Sequence, residues 1–333
     1  MKNMFKSGKI ELIDLLPVIS LVVLVIIFGI TSGGGLFQSF NIQSVIRDSI
    51  PVILGGLGVI FVIATGGCDL SIGAVAAVAA TVGAYYGSQY GAVWTIIIAL
   101  LIGLASGIFL GFIVSRCHVS SFMASLALLM GLRGFLNVCN VTWQQVYLPE
   151  SLLVINQFGP ALAITVILTA IIVFLFEKTS FGYYCKGMGE NENTMKSIGV
   201  NTAKVRHCAF IVSGIMAAIM GLLLISSTGG SSSTLGNFME MKVQMGVFLG
   251  GVLVSGGMRS KIYKLIFGSL SITVIVNGLT ISGASSSITE LAEGLILMLI
   301  LFLTIQMSDH AHWLDMFKKK NKEEIEEIEE TVA

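Results

Sequence analysis

Charge is what this chain has least of. Between Asp69 and Arg116 it runs for 46 residues without an Asp, Glu, Lys or Arg. Such a block cannot sit in water, and it matches two bilayer crossings of about 20 residues each, folded back at the Gly87-Ser88-Gln89-Tyr90-Gly91 turn. Over all 333 residues charged side chains are 11%, where soluble domains carry about 25%. The formal net charge is zero, so no long-range field draws in nucleic acid. The five cysteines show no C-x-x-C spacing and read as small apolar filler rather than metal or disulfide residues. No G-x-x-x-x-G-K-[ST] occurs, so the chain has no phosphate-binding P-loop of its own. The four histidines fall outside or at the edges of the apolar runs, and His310 and His312 flank Ala311 at a helix end. Dipole or interfacial packing explains that pair better than a metal does.

What the chain does have is apolar length. Hydrophobic residues make up 55%, mean hydropathy is +0.90, and there are 38 glycines, a residue more frequent in membrane helices than in soluble ones. The three early lysines before an apolar run resemble a signal peptide, but Glu11 and Asp14 interrupt it and no A-x-A-like site follows. An uncleaved first span is expected. The apolar runs predict about ten crossings, over 12–30, 42–64, 70–87, 92–114, 120–138, 161–177, 205–227, 241–254, 262–281 and 288–307. The expected fold is therefore an all-α polytopic membrane protein. It divides into an N-terminal segment 1–11, a membrane domain 12–307 with a long loop 178–206, and a charged tail 308–333.

Lys and Arg orient it by the positive-inside rule. Lys2, Lys6 and Lys9, then Arg116, then Lys178, Lys186, Lys196, Lys204 and Arg206 fall on one side with ten spans. So do Arg259, Lys261 and Lys264, and Lys318, Lys319, Lys320 and Lys322. The opposite loops contain no Lys or Arg, so both termini are expected in the cytoplasm. Arg47 and Lys242 lie at span edges, where snorkelling accounts for them. Ionisable residues within spans are few, among them Arg133, Glu290 and Glu293. Proton-coupled pumps usually show more.

Three motifs stand out. In Thr65-Gly66-Gly67-Cys68-Asp69-Leu70-Ser71-Ile72-Gly73, paired glycines end one helix and Asp69 or Ser71 caps the next. Capping explains Asp69 by itself, ahead of an ion- or substrate-binding carboxylate. In the 178–206 loop, glycines bracket a short helix, with Met195 and Ile198 on one exposed face as a docking surface; a solvated connector is the plainer reading. The third is Leu249-Gly250-Gly251-Val252-Leu253-Val254-Ser255-Gly256-Gly257, with Gly268 and Asn277-Gly278-Leu279 beyond it. Its small residues permit close helix approach, and its echo of Gly55-Gly56 and Thr65-Gly66-Gly67 hints at duplicated halves. The polar residues Arg133, Asn137, Gln244 and Asn277 are candidates for a substrate pathway, and also for interhelical glue.

Taken in order, these residues resemble the ribose-type permease subunits of bacterial ABC sugar importers, over roughly residues 45 to 305. Thr-Gly-Gly-Cys-Asp-Leu-Ser-Ile-Gly at 65–73 is similar to that family's T-G-G-I-D-L-S-V-G, and Leu132-Arg133-Gly134 to its L-R-G. The 187–201 segment is similar to its G-G-N-x-x-A-A-x-x-x-G-I-N. Ser255-Gly256-Gly257, Asn277-Gly278-Leu279 and Gly294-Leu295-Ile296-Leu297 follow in the family's order. The resemblance implies the ABC importer permease fold in a bacterial cytoplasmic membrane. It implies a dimer of like or unlike permease chains, two ATP-binding subunits inside and a solute-binding protein outside. ATP and Mg would be used by the partner ATPase, with no cofactor bound directly and no catalytic or metal site here. It also makes Gly187, Gly189, Glu190, Asn191, Glu192, Thr194, Met195, Ile198 and Gly199 the element that couples to the ATPase. Gly66, Gly67, Asp69, Ser71, Gly256 and Gly257 become its helix-breaking motifs.

The sequence departs from the family pattern at Glu190, where a glycine is usual, and at Thr194-Met195, which replace two alanines. Lys242 stands at a commonly acidic position and Glu293 at one that is often Lys, read here as a different substrate or an unlike partner chain. The expected function is import of a monosaccharide or similar small polar solute. A nucleoside, a signalling sugar derivative or a branched amino acid is the alternative cargo. A stand-alone secondary transporter would need more buried acids, and a membrane enzyme would need convergent acid, base or metal groups.

Overall fold

The computed structural model describes residues 12–285, 287–299 and 302. The expected N-terminal segment 1–11, the end of the last apolar run and the tail 308–333, with its histidines and lysines, lie outside them. The described residues form α1 (Leu12–Thr31), α2 (Ser39–Ala64), α3 (Ile72–Tyr90), α4 (Ala92–Arg116), α5 (Ser121–Trp143) and the single turn α6 (Glu150–Leu153). Then come α7 (Phe158–Val173), α8 (Ser180–Ser197), α9 (Thr202–Thr228), α10 (Met239–Leu249) and α11 (Ile262–Ile281), followed by α12 over 287–299. Six are long and apolar enough to cross a membrane: α2, α4, α5, α7 with its continuation to Lys178, α9 and α11. The chain is an all-α polytopic membrane protein.

Two expected spans differ from what forms. The run 241–254 yields only the 11 residues of α10, about 16 Å of helix against a hydrocarbon core of roughly 30 Å. Gly250 and Gly251 stop it. A side chain at Gly250 would overlap the Lys264 carbonyl, and Gly251 turns the chain at φ +77°. The run 70–87 becomes α3, which starts at Ile72 and continues through the supposed turn to Tyr90. The reversal is made by Gly91 alone, at φ +105°.

The interior is organised by small residues. From Val52 to Ala64 every residue of α2 is buried, and α2 packs against α7, α9, α10 and α11. On α4, Gly103, Gly107 and Gly111 recur every fourth residue, and side chains there would collide with the backbone of Gly214, Phe210 and His207 on α9. This is the G-x-x-x-G route to backbone contact between membrane helices. The α5–α7 connection straps the far end of α9. The Leu148 N–H donates to the Gly229 carbonyl at 3.0 Å, and the Ser231 N–H to that of Val146 at 2.8 Å. Tyr85 and Trp143 stack beneath it, 4.0 Å between ring centres. The bundle thus has two ends. The platform end gathers α8, the C-terminus of α2 and the N-termini of α9 and α11; the strap closes the other.

Candidate functional site

At the platform end three sequence motifs meet. The Gly257 N–H donates to the Ala64 carbonyl at 3.2 Å, joining the 250–261 turn to the end of α2. A side chain at Gly189 would overlap both the Ala64 carbonyl and the Gly257 backbone, and one at Gly256 would overlap the carbonyls of Ile63 and Ala64. Gly66 approaches the Ser255 carbonyl within 3.3 Å of where its own Cβ would lie. Thr65-Gly66-Gly67, Gly187-Met188-Gly189 and Ser255-Gly256-Gly257 therefore form one backbone-on-backbone junction. Glu190 seals it, its Oε1 accepting the Met258 N–H at 2.8 Å. The position that departs from the resembled family's glycine thus makes a link of its own.

Beyond the junction α8 breaks at Asn191, whose backbone is extended at φ −160°. Its side chain accepts the Thr194 N–H at 3.0 Å, as an N-cap does three residues on. The turn that follows ends in a Schellman pattern. The Val200 N–H reaches the Met195 carbonyl at 3.1 Å and the Gly199 N–H that of Lys196 at 3.0 Å. Gly199 takes the required left-handed backbone at φ +86°. Asn201 then caps α9 by accepting the Lys204 N–H at 3.0 Å. Glu192 ties this turn to α9 and to its own helix, with Arg206 at 2.6 Å and Lys196 at 3.0 Å. Burial works against its ionisation, but Arg206 and Lys196 outweigh it and hold the carboxyl at about 2. The expected exposed pair of Met195 and Ile198 is split. Met195 folds back so that its Sδ would lie 2.6 Å from a Cβ at Gly187, whereas Ile198 stays 67% exposed.

Asp69 is buried and fully engaged. One carboxylate oxygen accepts the Ser71 N–H at 2.9 Å and the Ser71 hydroxyl at 2.7 Å. The other accepts the Ser213 hydroxyl of α9 at 2.6 Å. Neither side chain caps α3: its N-cap, Ser71, makes no side-chain cap bond, and Asp69 instead closes a turn on Ser71 and bonds to α9. Gln244 joins the same node, its amide donating to the Asp69 carbonyl at 3.2 Å and to the Cys68 sulfur at 3.3 Å. Ser121, at the start of α5, accepts the Cys68 N–H at 3.0 Å.

The four pathway candidates do not converge. Arg133 donates to the carbonyls of Leu235 and Gly236 and lies 3.6 Å from Glu240. Glu240 is buried against Gly73 at the start of α3. Gln244 belongs to the Asp69 node and Asn137 is on the exposed face of α5. Asn277 donates to Asp48 at 3.3 Å, beside a cavity of about 260 Å³ between α2, α9, α10 and α11. Lys242 lines that cavity and pairs with Glu293 of α12 at 3.1 Å. The two charges that depart from the resembled pattern are thus each other's partner, which is sufficient reason for both. Glu240, Ser213, Ser121 and Asp48 are participants that sequence reasoning missed. None of them sits in a motif that names its distant partner, and only the G-x-x-x-G row of α4, in plain view at 103–111, signalled where α9 would pack.

Comparison with known proteins places these features. Residues 41–304 match the family described as branched-chain amino acid transport system, permease component. The probable ABC transporter permease protein YphD of Escherichia coli K12 is 30% identical over 315 residues, covering 92% of this chain and 93% of that one. The ribose import permease protein RbsC of Bacillus subtilis 168 is 30% identical over 296 residues, 86% and 91% of the two chains. The fructose import permease protein FrcC of Rhizobium meliloti is 26% identical over 298 residues, 85% and 82%. No solved structure matches the chain.

Proposed function

The chain belongs to this ABC-transporter permease family, and from that premise we propose that it is the membrane subunit of an ATP-driven importer for a monosaccharide. Its membrane domain would cover 12–307 in ten passes with both termini in the cytoplasm, and the platform on 178–206 would face the ATPase. The observation that carries the mechanism is the glycine junction. Because Gly189 and Glu190 of α8 are fixed to the ends of α2 and of the 250–261 turn, a push on the platform cannot be absorbed locally. Arg206 passes it to α9 through Glu192, and Glu177 passes it to α11 by accepting the Ile262 N–H at 3.2 Å. Glu190, Asn191, Glu192, Thr194, Ile198 and the glycines around them would be the coupling element. Met195 serves by packing it down.

ATP and Mg would be held by a separate subunit, in keeping with the lack of a P-loop here. A second permease copy would complete the conduit, and an extracytoplasmic binding protein would deliver the solute. A monosaccharide is favoured because the named relatives import ribose and fructose; the family's own description favours an amino acid instead. Reconstitution with the ATPase and binding protein decides both points. Uptake of labelled monosaccharide should require ATP. Uptake that persists without nucleotide overturns the importer reading, and ATP-dependent uptake of leucine but no sugar overturns the cargo.

A further inference from the structure

The cavity at the far end of α2, α9, α10 and α11 has a composition that helix packing alone does not require. Its polar wall is Arg47 and Asp48 of α2, Asn156 before α7, Ser227 of α9, Lys242 of α10 and Thr273 of α11. A sugar hydroxyl both donates and accepts, so its site needs both kinds of group side by side. Arg47 and Lys242 only donate and Asp48 only accepts; Asn156 does either, and Ser227 and Thr273, which give their hydroxyl hydrogens to the carbonyls of Leu224 and Ser269, accept. Asp48 is loosely held, taking Ser44 at 3.4 Å and Asn277 at 3.3 Å on the same oxygen. Its other oxygen has no hydrogen bond among the described residues. The charges balance, Arg47 and Lys242 against Asp48 and Glu293, so the wall favours a neutral solute over an anion or a cation. A volume of about 260 Å³ lies just below the roughly 300–1,000 Å³ of drug-sized sites and suits one small molecule.

The cavity also sits at one end of the helices whose other ends meet the platform. Arg47 precedes Ala64 by 17 residues, about 25 Å along α2. Ser227 stands at the opposite end of α9 from Arg206.

We propose that this cavity is a holding station on the transport path that takes one small neutral polyol. Asp48 and Asn156 bind its hydroxyl groups, and the Lys242–Glu293 pair forms the wall toward α12. The proposal rests on the importer reading and refines it. The platform's movement of α2 and α9 reshapes the station that those helices line.

The test uses the reconstituted complex with its ATPase and binding protein, and whichever of D-ribose, D-fructose or D-galactose wild type imports best. Asp48→Asn and Asn156→Ala should each raise the ATP hydrolysed per sugar imported by about tenfold, the worth of one hydroxyl contact, while leaving the ATPase rate near wild type. A purely structural defect would lower both rates together. An azide-bearing photoreactive form of the same sugar should label peptides containing Asp48 or Asn156, and excess unlabelled sugar should prevent it. Unchanged ratios with labelling elsewhere overturn the station and leave the importer standing. A wild-type complex that imports none of the three sugars overturns the station together with the monosaccharide cargo.

Discussion

Helices α2 and α7 look alike as sequence and behave oppositely as structure. Each is long and apolar enough to cross a bilayer, and α7 with its extension to Lys178 is the more apolar. Yet 78% of the apolar window of α2 is buried and only 17% of that of α7. In water the more apolar helix would be the inner one. In lipid the tails are as apolar as leucine, so hydropathy has no say in which helix goes inside. What separates the two is side-chain size. α2 carries Gly55, Gly56 and Gly58 where α9, α10 and α11 come against it. α7 presents Val166, Ile167 and Ile171 outward.

The sharpest way to break the contrast is to give α2 the bulk that α7 tolerates. A Cβ at Gly58 would lie 2.9 Å from the Ser213 Cα and 2.8 Å from the Met216 Cβ, neither of which can swing away. Gly58→Leu should cost about 3 kcal/mol or more and abolish recovery of monodisperse protein in detergent. Ile167→Ala on α7 should change stability by less than about 0.5 kcal/mol. Equal melting temperatures for the two variants would erase the distinction between inner and outer helices. A smaller loss is expected from Asp69→Ala, which strands the Ser213 and Ser71 hydroxyls in a buried site at about 2–3 kcal/mol. Thermal unfolding of the purified chain measures it.

The Lys242–Glu293 pair sharpens the comparison from the charged side, because it ties α12 to α10 rather than to lipid. Lys242→Glu places two acids about 3 Å apart and should cost about 1–2 kcal/mol, less than a fully buried pair because Lys242 remains partly wet. Glu293→Lys should do the same. The double exchange should recover most of the loss, since it restores opposite charges. Failure of the double variant to exceed either single one would mean that the two positions do not interact.

Much of this was readable from residues alone, and the reason is physical. An apolar run of about 20 residues has one stable fate in a membrane, so the runs at 42–64, 92–114 and 205–227 coincide with α2, α4 and α9 to within a few residues. Turn chemistry is local too, which is why a turn at Asp69-Leu70-Ser71 and a helix end at Gly199 could be read from neighbouring residues; the side-chain cap expected of Asp69 or Ser71 does not form. Long-range meeting is not local. Nothing in Thr65-Gly66-Gly67 says that it will touch Gly189 and Gly257, because each motif is complete as a turn. The same holds for Glu240, which finds Arg133 across more than 100 residues, and for Lys242 with Glu293. α10 misled for another reason: its composition suits a span, but glycines at 250 and 251 cut it to half the needed length.

The smallest effect tests whether the platform is a firm body or merely a tied loop. Glu192 has its carboxyl held at about 2, below the roughly 4.3 of an unperturbed glutamate. The sign follows from linkage. A carboxylate depressed in the folded state adds stability that is full above about 4.3 and is lost as pH falls toward 2. About a third of the side chain remains in water, so the contribution is below about 1 kcal/mol. Hydrogen exchange of the amides from 192 to 200 should therefore keep constant protection, after correction for intrinsic rates, from pH 7 to about 5 and lose it progressively below about 4. Arg206→Gln removes the largest favourable partner, so the loss should be smaller and complete at a higher pH, with its onset still set by the unfolded carboxyl near about 4.3. Protection that ignores both pH and Arg206 would mean that the caps of Asn191 and Gly199 hold the turn without Glu192, and coupling through α9 would then need another route.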